Sequence, residues 1–130
     1  VAVSFMLDSS VCIPVLRDRV STQAFTSPEE TAVSSIVAAE LWTGAYKLGL
    51  DHPQFSRLTE FLKLFPVLDF SEIAAQHYGE IRAELEKKGV SIGPLDLLIA
   101  AHACSLGATL ITANTGEFKR VKGLKLLAWK

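Results

Sequence analysis

Apolar positions along this chain fall into short runs that alternate with helical stripes. Residues 3–7 are an apolar run that stops at Asp8-Ser9-Ser10. That pattern is a buried strand delivering the chain to a helix start, with Asp8 or Ser9 as the N-cap. The helix that follows turns Val11, Cys12, Val15 and Leu16 toward a core. Residues 19–30 have no clear period and contain Ser27-Pro28, so a loop or a weak short helix is expected there. Residues 31–35 are short and β-rich. Apolar or small residues at 36, 37, 41, 44, 45 and 48 then recur at helical spacing, and Gly49 stops the helix. His52-Pro53 opens another helix with Phe55, Leu58, Leu62 and Phe65 on one face, ended by Pro66. Residues 67–70 read as a strand. Residues 71–88 form the longest helix, with Ile73, His77, Ile81 and Leu85 four apart and Gly89 after them. Pro94 starts an almost wholly apolar helix that runs to Leu106 and closes at Gly107. Residues 108–112 are a strand, and 124–129 a last one.

Short strands, apolar on both faces and alternating with helices, call for an α/β fold with a short parallel sheet of about four to five strands, covered by helices on both sides. Ligands in such folds gather beyond the carboxyl ends of the strands. With 130 residues and no break in composition, a single domain over 1–130 is expected. Hydrophobic residues at 49% against 21% charged exclude a disordered chain. No apolar run approaches the roughly 18 residues of a membrane span, and Val-Ala-Val at the start carries no basic leader, so a cytoplasmic protein is expected. Cys12 and Cys104 lie in apolar helical stretches and are expected to be free buried thiols. His52, His77 and His102 show no zinc spacing. No glycine-rich phosphate loop is present, so a nucleotide cofactor has no support. A net charge of −1 does not advertise a nucleic-acid binder. The total hides an uneven distribution. Residues 119–130 hold Lys119, Arg120, Lys122, Lys125 and Lys130 and no acid, a run that a solvated face also explains.

Three acids stand where the pattern does not ask for them. Asp8 follows the first strand directly, although an N-cap alone accounts for it. Glu40 lies on or beside the apolar stripe of its helix, where an unpaired carboxylate is costly; a buried ion pair or an edge position is the structural alternative. Asp96 sits in the first turn after Pro94, where the helix dipole alone justifies an acid. One explanation covers all three: a carboxylate cluster held by a hard cation. Mg²⁺ or Mn²⁺ takes oxygen ligands and keeps several waters. Without the ion, carboxylates packed together repel and raise one another's pKa. With it, a bound water is acidified and charge on a phosphate is neutralised, which suits phosphodiester hydrolysis by in-line attack.

Four segments carry a resemblance that runs along nearly the whole chain. They are Phe-Met-Leu-Asp-Ser-Ser at 5–10 and Ser-Ser-Ile-Val-Ala-Ala-Glu-Leu-Trp-Thr-Gly at 34–44. The others are Ile-Gly-Pro-Leu-Asp-Leu-Leu-Ile-Ala-Ala-His-Ala at 92–103 and Leu-Ile-Thr-Ala-Asn-Thr-Gly-Glu-Phe-Lys-Arg-Val-Lys-Gly-Leu at 110–124. In order and spacing the chain resembles a PIN-domain ribonuclease of the VapC type, the toxin half of a type II toxin–antitoxin pair. The resemblance implies a three-layer α/β/α fold and makes Asp8, Glu40 and Asp96 both catalytic and metal-binding, with Mg²⁺ or Mn²⁺ as cofactor. It further implies RNA cleavage with tRNA as the expected target, homodimerisation, and inhibition by a VapB-type antitoxin whose arginine points at the acids.

Two departures from the family pattern bear on the site. Ser9-Ser10 stands where the family often has Thr-Asn or Ser-Asn, and keeps a hydroxyl that can orient the carboxylate, with Ser9 as the supporting residue. Asn114 stands where a fourth acid is common; it brings a carbonyl without charge, and Glu117 one short turn later is the other candidate for that place. Lys47 and Arg82 are candidate contacts to RNA phosphates, a surface ion pair being the alternative for Arg82. Trp42, Tyr46 and Phe70 are expected in the core or a dimer interface rather than as base-stacking platforms. A receiver or phosphatase with Asp8 as phosphoacceptor is disfavoured because Asp8-Ser9-Ser10 lacks a D-x-D pair. A catalytically inactive PIN-like protein-binding module remains the principal alternative, left open by Asn114.

Overall fold

The computed structural model describes residues 2–18, 20–21 and 26–129. In chain order the elements are β1 (Phe5–Leu7), α1 (Ser9–Asp18), one 3₁₀ turn (Pro28–Glu30), β2 (Thr31–Ser34) and α2 (Ser35–Leu48). Then come α3 (Pro53–Leu64), β3 (Val67–Leu68), α4 (Glu72–Lys87), α5 (Pro94–Leu106), β4 (Thr109–Thr112), α6 (Thr115–Phe118) and β5 (Lys125–Ala128). The five strands make one sheet in the order β3-β2-β1-β4-β5, and every pair is parallel. The expected α/β architecture is therefore the observed one. From β1 the chain winds to one side through β2 and β3, then returns to place β4 against the free edge of β1. The sheet thus reverses its winding between β1 and β4, and a crevice opens at the carboxyl ends of those two strands.

Strand burial explains why the strands lack alternation. Met6, Leu7, Ala32, Val33, Leu110 and Ile111 are all buried, because both faces of the central strands carry helices. Helices α1, α2 and α3 pack on one another, and α4 packs along α5. Side-chain caps set the helix starts: Ser34 Oγ accepts from Ile36 N at 3.1 Å for α2, and Ser71 Oγ accepts from Ala74 N at 3.1 Å for α4. Gly107 ends α5 in the left-handed conformation at φ 64°, which lets the chain turn into β4.

Several expectations need correction. Ile73 is 60% exposed, because the buried side of α4 runs through Ala74, Ile81 and Leu85 instead. The strand expected over 67–70 is only Val67–Leu68; Phe70 turns its amide to Ser35 Oγ at 3.1 Å and its ring to His102. The short helix α6 had no periodic signal. Of the loop expected over 19–30, residues 19 and 22–25 lie outside the described residues, as does Lys130. Trp42 and Tyr46 meet Phe55 edge-on at 5.5 and 5.1 Å, with Tyr46 still 64% exposed. Cys12 is buried, Cys104 is half-buried, and both are free thiols. No helix among the described residues is long and apolar enough to cross a membrane.

Candidate active site

Parallel pairing of β1 with β4 sets Leu7 against Ile111, so Asp8 and Thr112 meet just past the strand ends. Asp8 is buried to 2% exposure. Its backbone carbonyl accepts from Val11 N and Cys12 N and so begins α1, but its carboxylate does not cap the helix. Instead Oδ2 accepts from Ser10 Oγ and from Thr112 Oγ1, each at 2.7 Å. These two hydroxyls are themselves located by the backbone: Ala113 N donates to Ser10 Oγ and Asn114 N donates to Thr112 Oγ1. Oδ1 is buried and has no hydrogen-bond partner among the described residues. One oxygen is clamped, and the other is presented bare.

Glu40 comes from the middle of α2. Its Oε1 is likewise buried and unpartnered, and no lysine or arginine among the described residues pairs with it. Burial raises its pKa, the Ser9 hydroxyl opposes that rise, and the Asp8 charge adds to it. The hydroxyl that clamps Asp8 is thus that of Ser10, while Ser9 acts on Glu40.

Asp96 lies in the first turn of α5 and is half-buried. Its pKa is pushed up to about 6, first by burial and then by the charges of Asp8 and Glu117, a hydrogen bond with Glu117, and the charge of Glu40. Glu117, on α6, moves the other way. Its Oε1 accepts from Gly93 N at 2.6 Å and its Oε2 from Asn114 Nδ2 at 3.1 Å, and these bonds hold its pKa down. Asp96 therefore feels the charge of three acids brought in by other segments, and Glu40 feels that of Asp8. Gly93 has ordinary dihedrals (φ −56°, ψ 142°), so glycine is not required there for its backbone freedom. A Cβ at Gly93 would stand in ordinary van der Waals contact, 3.6 Å from both Asp96 Oδ2 and Glu117 Oε1.

A buried hydrogen bond ties two of these elements together. His102 Nδ1 on α5 lies 2.7 Å from Ser34 Oγ, the cap of α2. Burial lowers the His102 pKa against the opposing charge of Asp69. The helix that carries Asp96 is thereby fixed to the start of the helix that carries Glu40.

Two other candidates take different places. Arg82 is engaged within its own helix, with Nε on Glu86 at 2.9 Å and a terminal nitrogen on Tyr78 Oη at 3.0 Å. Lys47 lines a groove beside Glu40 whose walls are Ile13, Leu41, Ala45, Leu48 and Leu58. Sequence reasoning did not assign roles to Thr112, Ser10 and Gly93. A polar residue closing the apolar run 108–112 was the available signal for Thr112, but its partner depended on which strand lies beside β1.

The chain matches the PIN domain family over residues 5–124. The chain belongs to that family. Within it, this PIN domain is 39% identical over 130 residues to Ribonuclease VapC2 of Rickettsia felis, covering 96% of this chain and 97% of that one. It is 37% identical over 128 residues to the tRNA(fMet)-specific endonuclease VapC of Shigella flexneri, with the same coverage of 96% and 97%. Among solved structures it superposes on a chain of the DNA-bound VapBC of Salmonella typhimurium with a TM-score of 0.91 at 36% identity, covering 98% of this chain and 99% of that one. The crevice between β1 and β4 thus lies in a PIN domain that is similar to VapC ribonucleases.

Proposed function

We propose that this PIN domain is a Mg²⁺- or Mn²⁺-dependent endoribonuclease of the VapC kind, acting on RNA with tRNA as the expected substrate, and restrained in the cytoplasm by a VapB-type antitoxin. The observation that carries it is the pair of bare, buried carboxylate oxygens, Asp8 Oδ1 and Glu40 Oε1, beside an Asp96 pushed up to about 6. Uncompensated acid charge of this kind destabilises a fold unless a ligand uses it.

The residues suit a hard divalent ion. The donors are all oxygen, two have no partner among the described residues, and the Gly93 backbone leaves room beside Asp96 and Glu117 that a methyl group would enter. Among the described residues no three acids or histidines are gathered tightly enough to enclose an ion by themselves. Mg²⁺ tolerates that, since it keeps several waters and uses one or two carboxylates. Asp8 and Asp96 would hold the ion, with Glu40 and Glu117 around it and Asn114 steering Glu117 rather than bringing charge. When bound, the cation supplies charge neutralisation for a phosphate and acidifies nearby water. The chain does the rest. Ser10 and Thr112 fix the Asp8 carboxylate so that it need not reorganise. Glu40, raised by burial, accepts a proton from the water that attacks phosphorus in line. The bond from phosphorus to the leaving sugar oxygen breaks on the opposite side, and that oxygen keeps the electron pair and takes a proton from solvent.

Antitoxin restraint fits the groove beside Glu40. It is apolar, with exposed Ile13 and Leu48 on its rim, and suits an amphipathic peptide that delivers an arginine to the acids. A second copy of the chain is the other expected partner, in a homodimer. The test is cleavage of labelled RNA by the antitoxin-free protein with Mg²⁺ or Mn²⁺, with EDTA, and by Asp96→Asn. Cleavage that needs the metal and Asp96 is expected. Undiminished cleavage in EDTA or in the variant sinks the proposal.

A further inference from the structure

Among the described residues, Glu40 lines one groove and Glu117 another, and the two linings differ in kind. The groove beside Glu40 is apolar. The other, an open groove of about 730 Å³, is walled by Gly93, Asn114, Glu117, Lys119 and Arg120, with Ser91 at its edge. Its cations form no direct ion pair among the described residues, although the Arg120 charge helps hold the Glu117 pKa down. The ion pairs among the described residues join Arg17 to Asp18, Lys63 to Glu60, Arg82 to Glu86 and Lys88 to Glu84. Lys119 and Arg120 have no salt bridge among the described residues, and residues 118–130 of the sequence hold no acid. Arg120 is also pre-positioned. One terminal nitrogen donates to the Ser91 carbonyl at 2.8 Å, which holds the guanidinium across the groove with its other donors left for a ligand.

A polyanion approaching a site with four acids is repelled at the point where it must react. Cations at the edge of the site offset that repulsion and raise the local concentration of the strand. Arg82 is already occupied by Glu86, and Lys47 stands over an apolar groove. We propose that Lys119 and Arg120 form the phosphate-binding wall along which single-stranded RNA runs into the carboxylates. The assignment rests on the ribonuclease reading. It places the nucleic acid on the α6 side of the site, at Glu117, and not in the apolar groove beside Glu40.

The experiment measures the Kd of a labelled single-stranded RNA for the Asp96→Asn protein with Mg²⁺ at a series of salt concentrations, so that binding is read without cleavage. Adding Lys119→Gln with Arg120→Gln is expected to weaken binding about tenfold and to make the slope of log Kd against log salt shallower by about 1.4, at about 0.7 per lost phosphate contact. Arg120→Lys keeps the charge and is expected to keep the slope, which separates a phosphate contact from a structural role of the Ser91 bond. Lys63→Gln on α3 serves as the surface control and should change nothing. In proteins with Asp96 intact, the same double change should raise KM and spare kcat. An unchanged Kd and slope overturns the proposal, as does loss of antitoxin binding with RNA binding retained. Absence of cleavage by the unaltered protein would count against the ribonuclease reading instead, because the binding series is read without it.

Discussion

Asp96→Asn separates stability from function in a way the geometry makes quantitative. In the metal-free protein, Asp96 titrates at about 6 against an ordinary value of 3.8. The folded state therefore keeps a proton that the unfolded chain has already released. Stability falls as pH rises from about 4 to about 6, and the full penalty is present above that. A shift of about 2 units sets a ceiling of roughly 3 kcal/mol, at 1.36 kcal/mol per unit. Asp96 is only half-buried, so solvent screening reduces the expected penalty to about 1 kcal/mol. Asparagine has the same shape, carries no charge, and can still donate to Glu117. The variant is thus expected to be more stable than the unaltered protein at pH 7.5 in EDTA by about 1 kcal/mol, or roughly 3–4 °C in Tm. At pH 4 the difference should vanish. Mg²⁺ should raise the Tm of the unaltered protein and leave the variant nearly unmoved, while RNA cleavage by the variant is lost. Thermal melts at the two pH values, with and without metal, make the measurement. A variant that is less stable at both pH values refutes the claim that Asp96 is held in a repulsive cluster.

Four further outcomes are expected. Thr112→Val should lower kcat about tenfold or more at little change in KM, because Asp8 Oδ2 keeps only Ser10; it should also cost about 1–2 kcal/mol in a denaturant titration, since Asn114 N loses its acceptor. Gly93→Ala should keep the fold, because a Cβ there makes only ordinary contacts at 3.6 Å, yet weaken Mg²⁺ binding in a calorimetric titration by filling the space beside Asp96 and Glu117. Ile111→Ala, in the centre of β4, should destabilise by about 2–4 kcal/mol by leaving a cavity. A thiol reagent should modify Cys104 slowly in the native state and Cys12 only on unfolding, because burial pushes the Cys12 thiol far up, and intact mass under non-reducing conditions should show no disulfide.

Much of the fold was legible in the chain because its elements announce themselves locally. The apolar run before Asp8, the stripe from Ile36 to Leu48 closed by Gly49, and Pro94 ahead of an apolar helix each encode an element and its limits. Ile73 was misplaced because a four-residue spacing drifts around the helix. The face that packs on α5 follows Ala74, Ile81 and Leu85, and a small alanine gives a weak signal. Helix α6 escaped because four residues contain barely one period.

The residues of the candidate site divide in the same way. Asp8, Glu40 and Asp96 could be picked out from sequence alone, because an acid at a strand end, on an apolar stripe or in a proline-led first turn is unusual in each local context. Which groups surround them could not, because that depends on strand order. Thr112 reaches Asp8 only because β4 inserts beside β1, more than a hundred residues away along the chain. Glu117 meets Gly93 and Asp96 only because α6 follows that strand, and Lys119 and Arg120 arrive with it. Local patterning determined the elements and the acids. Tertiary structure decided which oxygen of Asp8 is clamped and which is bare, which carboxylates repel, and where the positive wall lies, because those depend on distances between segments that no local pattern encodes.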